Sequence, residues 1–151
     1  MNNYLNFKIV GSGPSGLLLA ISLAKLNFNI YITDLLTREK LISKDKTYAI
    51  THSTRKILSK FNLWSKLKSY LYKFDSLSIS DSVTSDFTIL TTSDLDKDIC
   101  SLDTIGWVVK HSDLMNVFFY EIDKIDNIFF KSSLDLSNEN INFDYKFIST
   151  G

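Results

Sequence analysis

The apolar residues at the start of the chain form two short runs with a longer one between them. Phe7, Ile9 and Val10 are a β-rich run that ends at a glycine, which predicts a buried strand. The next run, "SGLLLAISLAKL", is apolar on nearly every side, as is typical of a helix packed on a sheet. Asn27–Asn29 interrupt it, and "IYIT" predicts a second strand that ends at Asp34. The pattern therefore predicts one βαβ unit.

The turn between the first strand and the helix contains three of the five glycines of the chain, as Gly11-x-Gly13-x-x-Gly16. Gly11 permits a tight turn, Gly13 lets a pyrophosphate approach the backbone, and Gly16 allows close packing of helix on strand. Pro14 is tolerated because it lies in the first turn of the helix. Taken alone, such a pattern is also compatible with an ordinary glycine turn.

The surroundings of the glycines favour a dinucleotide site. A strand precedes them, a helix follows, and Asp34 lies 18 residues after Gly16, where a carboxylate accepts hydrogen bonds from both ribose hydroxyls. The free N–H groups of the helix would face the pyrophosphate. Because NAD and FAD use the same unit, the pattern leaves the choice between them open. The candidate cofactor contacts are Gly11, Ser12, Gly13, Pro14, Ser15, Gly16 and Asp34.

The rest of the chain predicts further helices and strands. Residues 51–72 have apolar positions at helical spacing and predict two short helices hinged near Asn62. Residues 74–92 alternate, which predicts antiparallel strands, and "TSDLDKD" is a polar loop. Ser112 is a candidate cap of a helix that buries apolar residues up to Ile125. "NIFFK" and "YKFIS" predict two returning strands.

Composition excludes several classes of function. The chain has 151 residues, the size of one domain, and its 17 basic side chains balance 17 acidic ones, so nucleic acid is not an expected partner. The single cysteine, Cys100, cannot form an internal disulfide, and we expect a reducing, cytoplasmic setting. His52 and His111 are far apart and predict no metal site. No nucleophile with a base or paired carboxylates is recognisable, so no catalytic side chain is assigned.

Four segments resemble a known family: "VGSGPSGLLLAISLAK", "KTYAIT", "STRKILSKFNLWSKL" and "GWVVKHSDLMNVF". They are similar, in this order, to the N-terminal part of FAD-dependent aromatic-ring hydroxylases, with the closest resemblance to ubiquinone-biosynthesis hydroxylases. The resemblance implies an α/β, Rossmann-like FAD-binding unit with an inserted antiparallel β segment. It also implies three parts: FAD-binding residues 1–72, a β-rich insertion at 73–110 belonging to a substrate domain, and a return to the FAD-binding domain at 111–151.

The chain departs from the family pattern at two places, Lys46 and the C-terminal end. Lys46 stands where the family has an arginine that reaches FAD, and it keeps the charge without the bidentate fork. Alternatively, Lys46 is an exposed cation in the run "SKDK". His111 stands where relatives often have a polar or basic residue near the cofactor, although a lone histidine before a helix is also typical of a surface or capping residue. In "FDYKFISTG", Thr150 replaces the family's aspartate and the sequence stops at Gly151. We therefore expect a truncated chain that lacks most of the substrate pocket.

The resemblance also implies an activity. NAD(P)H would reduce FAD, and the reduced flavin and O₂ would hydroxylate an aromatic ring, expected to be that of a ubiquinone precursor, with peripheral contact to the inner membrane. In such enzymes the cofactor performs the difficult chemistry while the protein binds and orients it. Two alternatives remain: an FAD-dependent reductase or oxidase of the same fold, and a non-catalytic fragment that binds only the ADP moiety.

Overall fold

The computed structural model describes residues 5–84, 86–95, 103–132 and 141–150. Its backbone forms two compact units, which we call the sheet unit (Met1–Lys46 and His111–Gly151) and the inserted unit (Thr47–Lys110). The predicted assignment of residues 1–72, 73–110 and 111–151 to the domains of a larger enzyme stays a prediction. Cys100, the end of "TSDLDKD" and Gly151 lie outside the described residues.

The described helices and strands are, in chain order, β1 (Asn6–Val10), α1 (Pro14–Ala24), β2 (Asn29–Asp34), α2 (Arg38–Ile42), β3 (Thr47–Thr51), α3 (His52–Lys60), α4 (Leu63–Leu67), β4 (Tyr72–Phe74), β5 (Ser76–Ser80), β6 (Phe87–Thr91), β7 (Gly106–Lys110), α5 (His111–Ile122), β8 (Ile128–Ser132) and β9 (Tyr145–Ile148). Short 3₁₀ turns at Lys68–Tyr70 and Thr92–Asp94 complete the set.

The sheet unit is built on four parallel strands in the order β8-β2-β1-β9. The register places Ile9 beside Ile32 on one side and beside Phe147 on the other. Ile9 and Ile32 are completely buried, and parallel strands covered by helices need such apolar side chains. The predicted βαβ unit is confirmed, as are the two returning strands, which both join this sheet.

Helix α1 packs on the sheet and on α5. Its buried face is Leu17, Ala20, Ile21 and Ala24, whereas its other face is half-buried. Burying each large aliphatic side chain contributes about 1.5–3 kcal/mol, so this face holds the helix in place after the glycine turn. Among the described residues, no helix is long and apolar enough to cross a membrane.

The inserted unit has a three-stranded antiparallel sheet, β3-β7-β4, and a separate two-stranded hairpin, β5-β6. The two predicted helices are α3 and α4, and the predicted hinge is confirmed by the left-handed backbone of Asn62, φ 58°. The predicted antiparallel strands are also confirmed. The unit thus gives the mixed α/β fold its antiparallel part.

The prediction of Ser112 as a helix cap is wrong. Helix α5 begins one residue earlier, at His111, and ends at Ile122, so Ser112 lies in its first turn and Ile125 lies beyond its end. The backbone N–H of His111 donates to the carbonyl oxygen of Lys46 at 2.8 Å. Because another segment satisfies this first N–H group, the helix can start without a side-chain cap at Ser112.

Candidate nucleotide-binding site

The glycine turn lies at the carboxyl end of β1, where the order of the parallel strands changes direction. From β1 the chain continues to β2 and β8 on one side of the sheet, and β9 then pairs with β1 on the opposite side. In open α/β sheets, ligands bind in the crevice outside the carboxyl ends of the strands at such a point. The topology therefore places the predicted turn where a ligand site is expected.

Gly11 and Gly16 are required by close approach of the backbone. Gly11 has φ +101°, which side chains other than glycine rarely adopt, and a Cβ there would overlap the carbonyl oxygen of Ser149. A Cβ on Gly16 would overlap the carbonyl oxygen of Gly11. These two glycines let α1 and the end of β9 close around the turn.

Gly13 is different because its missing side chain leaves open space. A Cβ built on Gly13 meets no heavy atom within 4 Å. Gly13 is the residue that precedes α1, and no side chain caps the helix there. The start of α1 therefore lies beside an open space, and the positive end of the helix dipole favours an anion near it. This geometry fits a pyrophosphate.

Asp34, the last residue of β2, points at the glycine turn. Its Oδ2 accepts hydrogen bonds from the backbone N–H of Ser12 at 2.8 Å and from the Ser12 hydroxyl at 2.7 Å. Its Oδ1 accepts one from the backbone N–H of Leu36 at 3.0 Å. A carboxylate offers about four acceptor positions, so one position remains for a ligand hydroxyl.

The pKa of Asp34 lies below its ordinary value of 3.8. Partial burial acts to raise this pKa. The hydrogen bonds from Leu36 and Ser12 and the positive charge of Lys44 act in the opposite direction and together outweigh the effect of burial. The carboxylate is therefore ionised at neutral pH, as an acceptor for hydroxyl donors must be. A negative charge here also disfavours a phosphate on the ribose 2′ position.

Lys44 and the role of Ser12 were missed by the sequence analysis. Lys44 lies close enough to Asp34 for its positive charge to act on the carboxyl. Lys46, in the same "SKDK" run, is assigned to FAD by the resemblance, and that assignment stays a prediction. Lysines two residues apart look alike in the sequence, so the sequence does not reveal which of them acts on Asp34. The side chain of Lys46 is exposed.

His111 is not a surface residue. Only 2% of it is exposed, and its Nε2 is 2.6 Å from the carbonyl oxygen of Leu41. Leu41 belongs to α2, and α2 packs on α5, which begins at His111. The imidazole thus joins two helices of the sheet unit, and its contact with a cofactor stays a prediction. Pro14 is half-buried, and Ser15 is exposed at the start of α1.

The fold resembles parts of several flavoprotein structures. It matches PqsL of Pseudomonas aeruginosa, a "probable FAD-dependent monooxygenase", with a TM-score of 0.64 and 11% identity over 86% of this chain and 33% of that one. For p-nitrophenol 4-monooxygenase PnpA of Pseudomonas putida the values are 0.63 and 17%, over 87% and 31%. For 2-methyl-3-hydroxypyridine-5-carboxylic acid oxygenase they are 0.65 and 11%, over 87% and 32%.

One curated relative was found by sequence, the uncharacterised protein slr1300 of Synechocystis sp. It is 32% identical over 80 residues, which are 53% of this chain and 19% of the relative. No protein-family model matches the chain. The chain thus spans about a third of the solved structures that it resembles. At these identities the likeness establishes the fold: the chain has the α/β fold found in part of FAD-dependent aromatic monooxygenases.

Proposed function

We propose that the chain is the FAD-binding part of a flavin-dependent monooxygenase that hydroxylates an aromatic ring. The observation that carries this proposal is the open space at Gly13, which lies at an uncapped helix start and beside an ionised acid. The likeness to aromatic monooxygenases supports it at the level of fold. Each feature alone suits several nucleotides, but their combination in this fold favours FAD.

The residues of the turn would hold the ADP moiety. The backbone at Gly13 and Ser15 would face the pyrophosphate, with Gly11, Ser12 and Gly16 shaping the turn behind it. Asp34 would accept a hydrogen bond from one ribose hydroxyl through its remaining acceptor position. Ser12 and Leu36 already occupy three acceptor positions of Asp34, so we propose one hydrogen bond from the ribose; the expected bond to the second hydroxyl stays a prediction.

The flavin, when bound, would supply the redox chemistry with O₂, and the protein would bind and orient it. No side chain of this chain is assigned a proton transfer. Lys46 is proposed as a cation for the FAD phosphates or ribose because it is exposed and follows α2 in the sheet unit. His111 joins α5 to α2, and the contact with the cofactor that the resemblance implies for it stays part of the proposal.

The finer parts of the proposal rest on the sequence resemblance. They are NAD(P)H as the electron donor, a ubiquinone precursor as the aromatic substrate, and a cytoplasmic enzyme with peripheral contact to the inner membrane. A lipophilic quinone precursor partitions into bilayers, so an enzyme that hydroxylates it would work at a membrane surface.

Ligand binding by the purified chain tests the proposal. We expect the chain to bind FAD and ADP with similar affinity in calorimetry, since the described site is complementary to the ADP moiety, and to prefer both over NADP⁺ because Asp34 repels a 2′-phosphate. Binding of neither FAD nor ADP would refute the proposed site. Binding of ADP without retention of a yellow, flavin-absorbing species would favour the non-catalytic alternative.

The oxygen dependence of product formation distinguishes a monooxygenase from the reductase alternative. A preparation that retains FAD is mixed with NAD(P)H and a quinone precursor under air and under nitrogen. A hydroxylated product that forms only under air supports the monooxygenase, whereas oxidation of NAD(P)H with reduction of the added compound and no oxygen insertion supports the reductase alternative.

A further inference from the structure

The inserted unit contains a cavity with a cationic and aromatic lining. Its volume is about 250 Å³, and none of the described residues that line it is acidic. Helices α3 and α4, the 3₁₀ turn that follows them, and strands β4 and β7 provide the lining. The six lining residues are Arg55, Trp64, Lys68, Leu71, Lys73 and Trp107.

Arg55 is held against both indole rings. Its guanidinium carbon lies 5.6 Å from the ring centroid of Trp64 and 5.4 Å from that of Trp107. The two indoles meet edge to face, with centroids 4.7 Å apart, and only 6% of Trp107 is exposed. His52 packs on Trp107 and is fixed by a 2.8 Å hydrogen bond to the carbonyl oxygen of Thr104. The wall behind the guanidinium is therefore ordered before any ligand arrives.

The charge of the cavity is not compensated within the described part of the chain. Neither Arg55 nor Lys68 nor Lys73 forms an ion pair with a carboxylate there. Stacking on indoles leaves the edge of a guanidinium, where its N–H donors point outward, available to a planar anion. Three cations around one cavity favour an anionic ligand, and carboxylates match the Arg fork by two parallel hydrogen bonds.

We propose that this cavity binds an aromatic carboxylate with a single ring. The carboxylate would pair with Arg55 and the neighbouring lysines, and the ring would pack on Trp64 and Leu71. Pockets for drug-sized ligands have volumes of about 300–1,000 Å³, so a cavity of about 250 Å³ suits one ring rather than a nucleotide. The inference concerns the inserted unit alone and does not depend on FAD binding by the sheet unit.

Intrinsic fluorescence gives a direct test, because Trp64 and Trp107 are the two tryptophans of the chain. The purified full chain is titrated with benzoate, with benzamide as the uncharged analogue, with acetate as the anion without a ring, and with AMP. We expect a saturable fluorescence change with benzoate. Benzamide and acetate should bind with affinities weaker than that of benzoate by roughly tenfold or more. Equal binding of benzamide, or preferential binding of AMP, would overturn the proposal.

Variants locate the binding site. Arg55→Gln should weaken benzoate binding by roughly tenfold or more because it removes the charged fork. Lys56→Gln, an exposed position on the same helix that does not line the cavity, is the matched control and should bind as the wild type does. Lys73→Gln, at an exposed position, should also weaken benzoate binding. This variant keeps the proposal testable if Arg55→Gln does not fold. Unchanged affinity in both lining variants would overturn the proposal.

Discussion

Asp34 accepts two hydrogen bonds from Ser12, one from the backbone N–H at 2.8 Å and one from the hydroxyl at 2.7 Å. Ser12 is completely buried in the glycine turn, and Asp34 ends the neighbouring strand β2. The acid proposed to bind the ribose therefore also fixes the turn proposed to bind the pyrophosphate. A site ordered before binding loses less conformational entropy when the ligand enters.

Replacing Asp34 by asparagine should destabilise the sheet unit. Asparagine has a single acceptor oxygen, so it can accept the bonds from Ser12 or the bond from Leu36 but not both. We therefore expect Asp34→Asn to lower the free energy of unfolding by about 1–3 kcal/mol at pH 7. Urea denaturation measures this loss. Asp126→Asn, at an exposed position, is the control and should stay within about 0.5 kcal/mol of the wild type. Equal stability of both variants would contradict a structural role of the Asp34 contacts.

The same carboxylate should make stability depend on pH. Its pKa in the folded chain lies below the ordinary value of 3.8, so its contribution is fully present above about pH 4 and is lost as the pH falls through the lower, folded-state pKa. Denaturation of the wild type and of Asp34→Asn at several acidic pH values should give curves that converge as the pH falls. A difference that stays constant down to the lowest pH would contradict this assignment.

The glycines should divide into two classes. Gly13→Val has open space for its Cβ, so we expect stability within about 1 kcal/mol of the wild type. We also expect loss of FAD and ADP binding, because the methyl groups would occupy the proposed pyrophosphate path. Gly16→Val places the same side chain against the carbonyl of Gly11 and should cost about 3 kcal/mol or more. Calorimetry and urea denaturation separate the effects. Full FAD affinity in Gly13→Val would refute the proposed site.

The βαβ unit could be predicted from sequence because its signals are local. The apolar periods, the glycine spacing and the acid at the end of β2 are all encoded within 34 residues. The strand order β8-β2-β1-β9 could not be derived this way, since it depends on pairings such as Phe7 beside Tyr145. Likewise, no local pattern reveals that the end of β9 closes on Gly11, which fixes the shape of the turn.

Lys46 is a site residue that the resemblance alone assigns, and affinity measurements test it. Lys46→Ala should weaken FAD binding roughly tenfold if its ammonium reaches the cofactor, and Lys46→Arg should preserve or strengthen binding because it restores the fork. Lys60→Ala, an exposed lysine of α3, controls for general loss of positive charge. If Lys46→Ala binds FAD as the wild type does, Lys46 is only an exposed cation.

Variants of His111 test whether this predicted site residue stabilises the fold or contacts the cofactor. Its burial could not be foreseen, because the partner, Leu41, is 70 residues away. His111→Phe keeps an aromatic ring but leaves the Leu41 carbonyl without this partner, so we expect a loss of about 1–3 kcal/mol in the free energy of unfolding. His111→Gln, which can still donate, should recover part of it. Loss of FAD affinity in His111→Gln without loss of stability would instead indicate a direct contact with the cofactor.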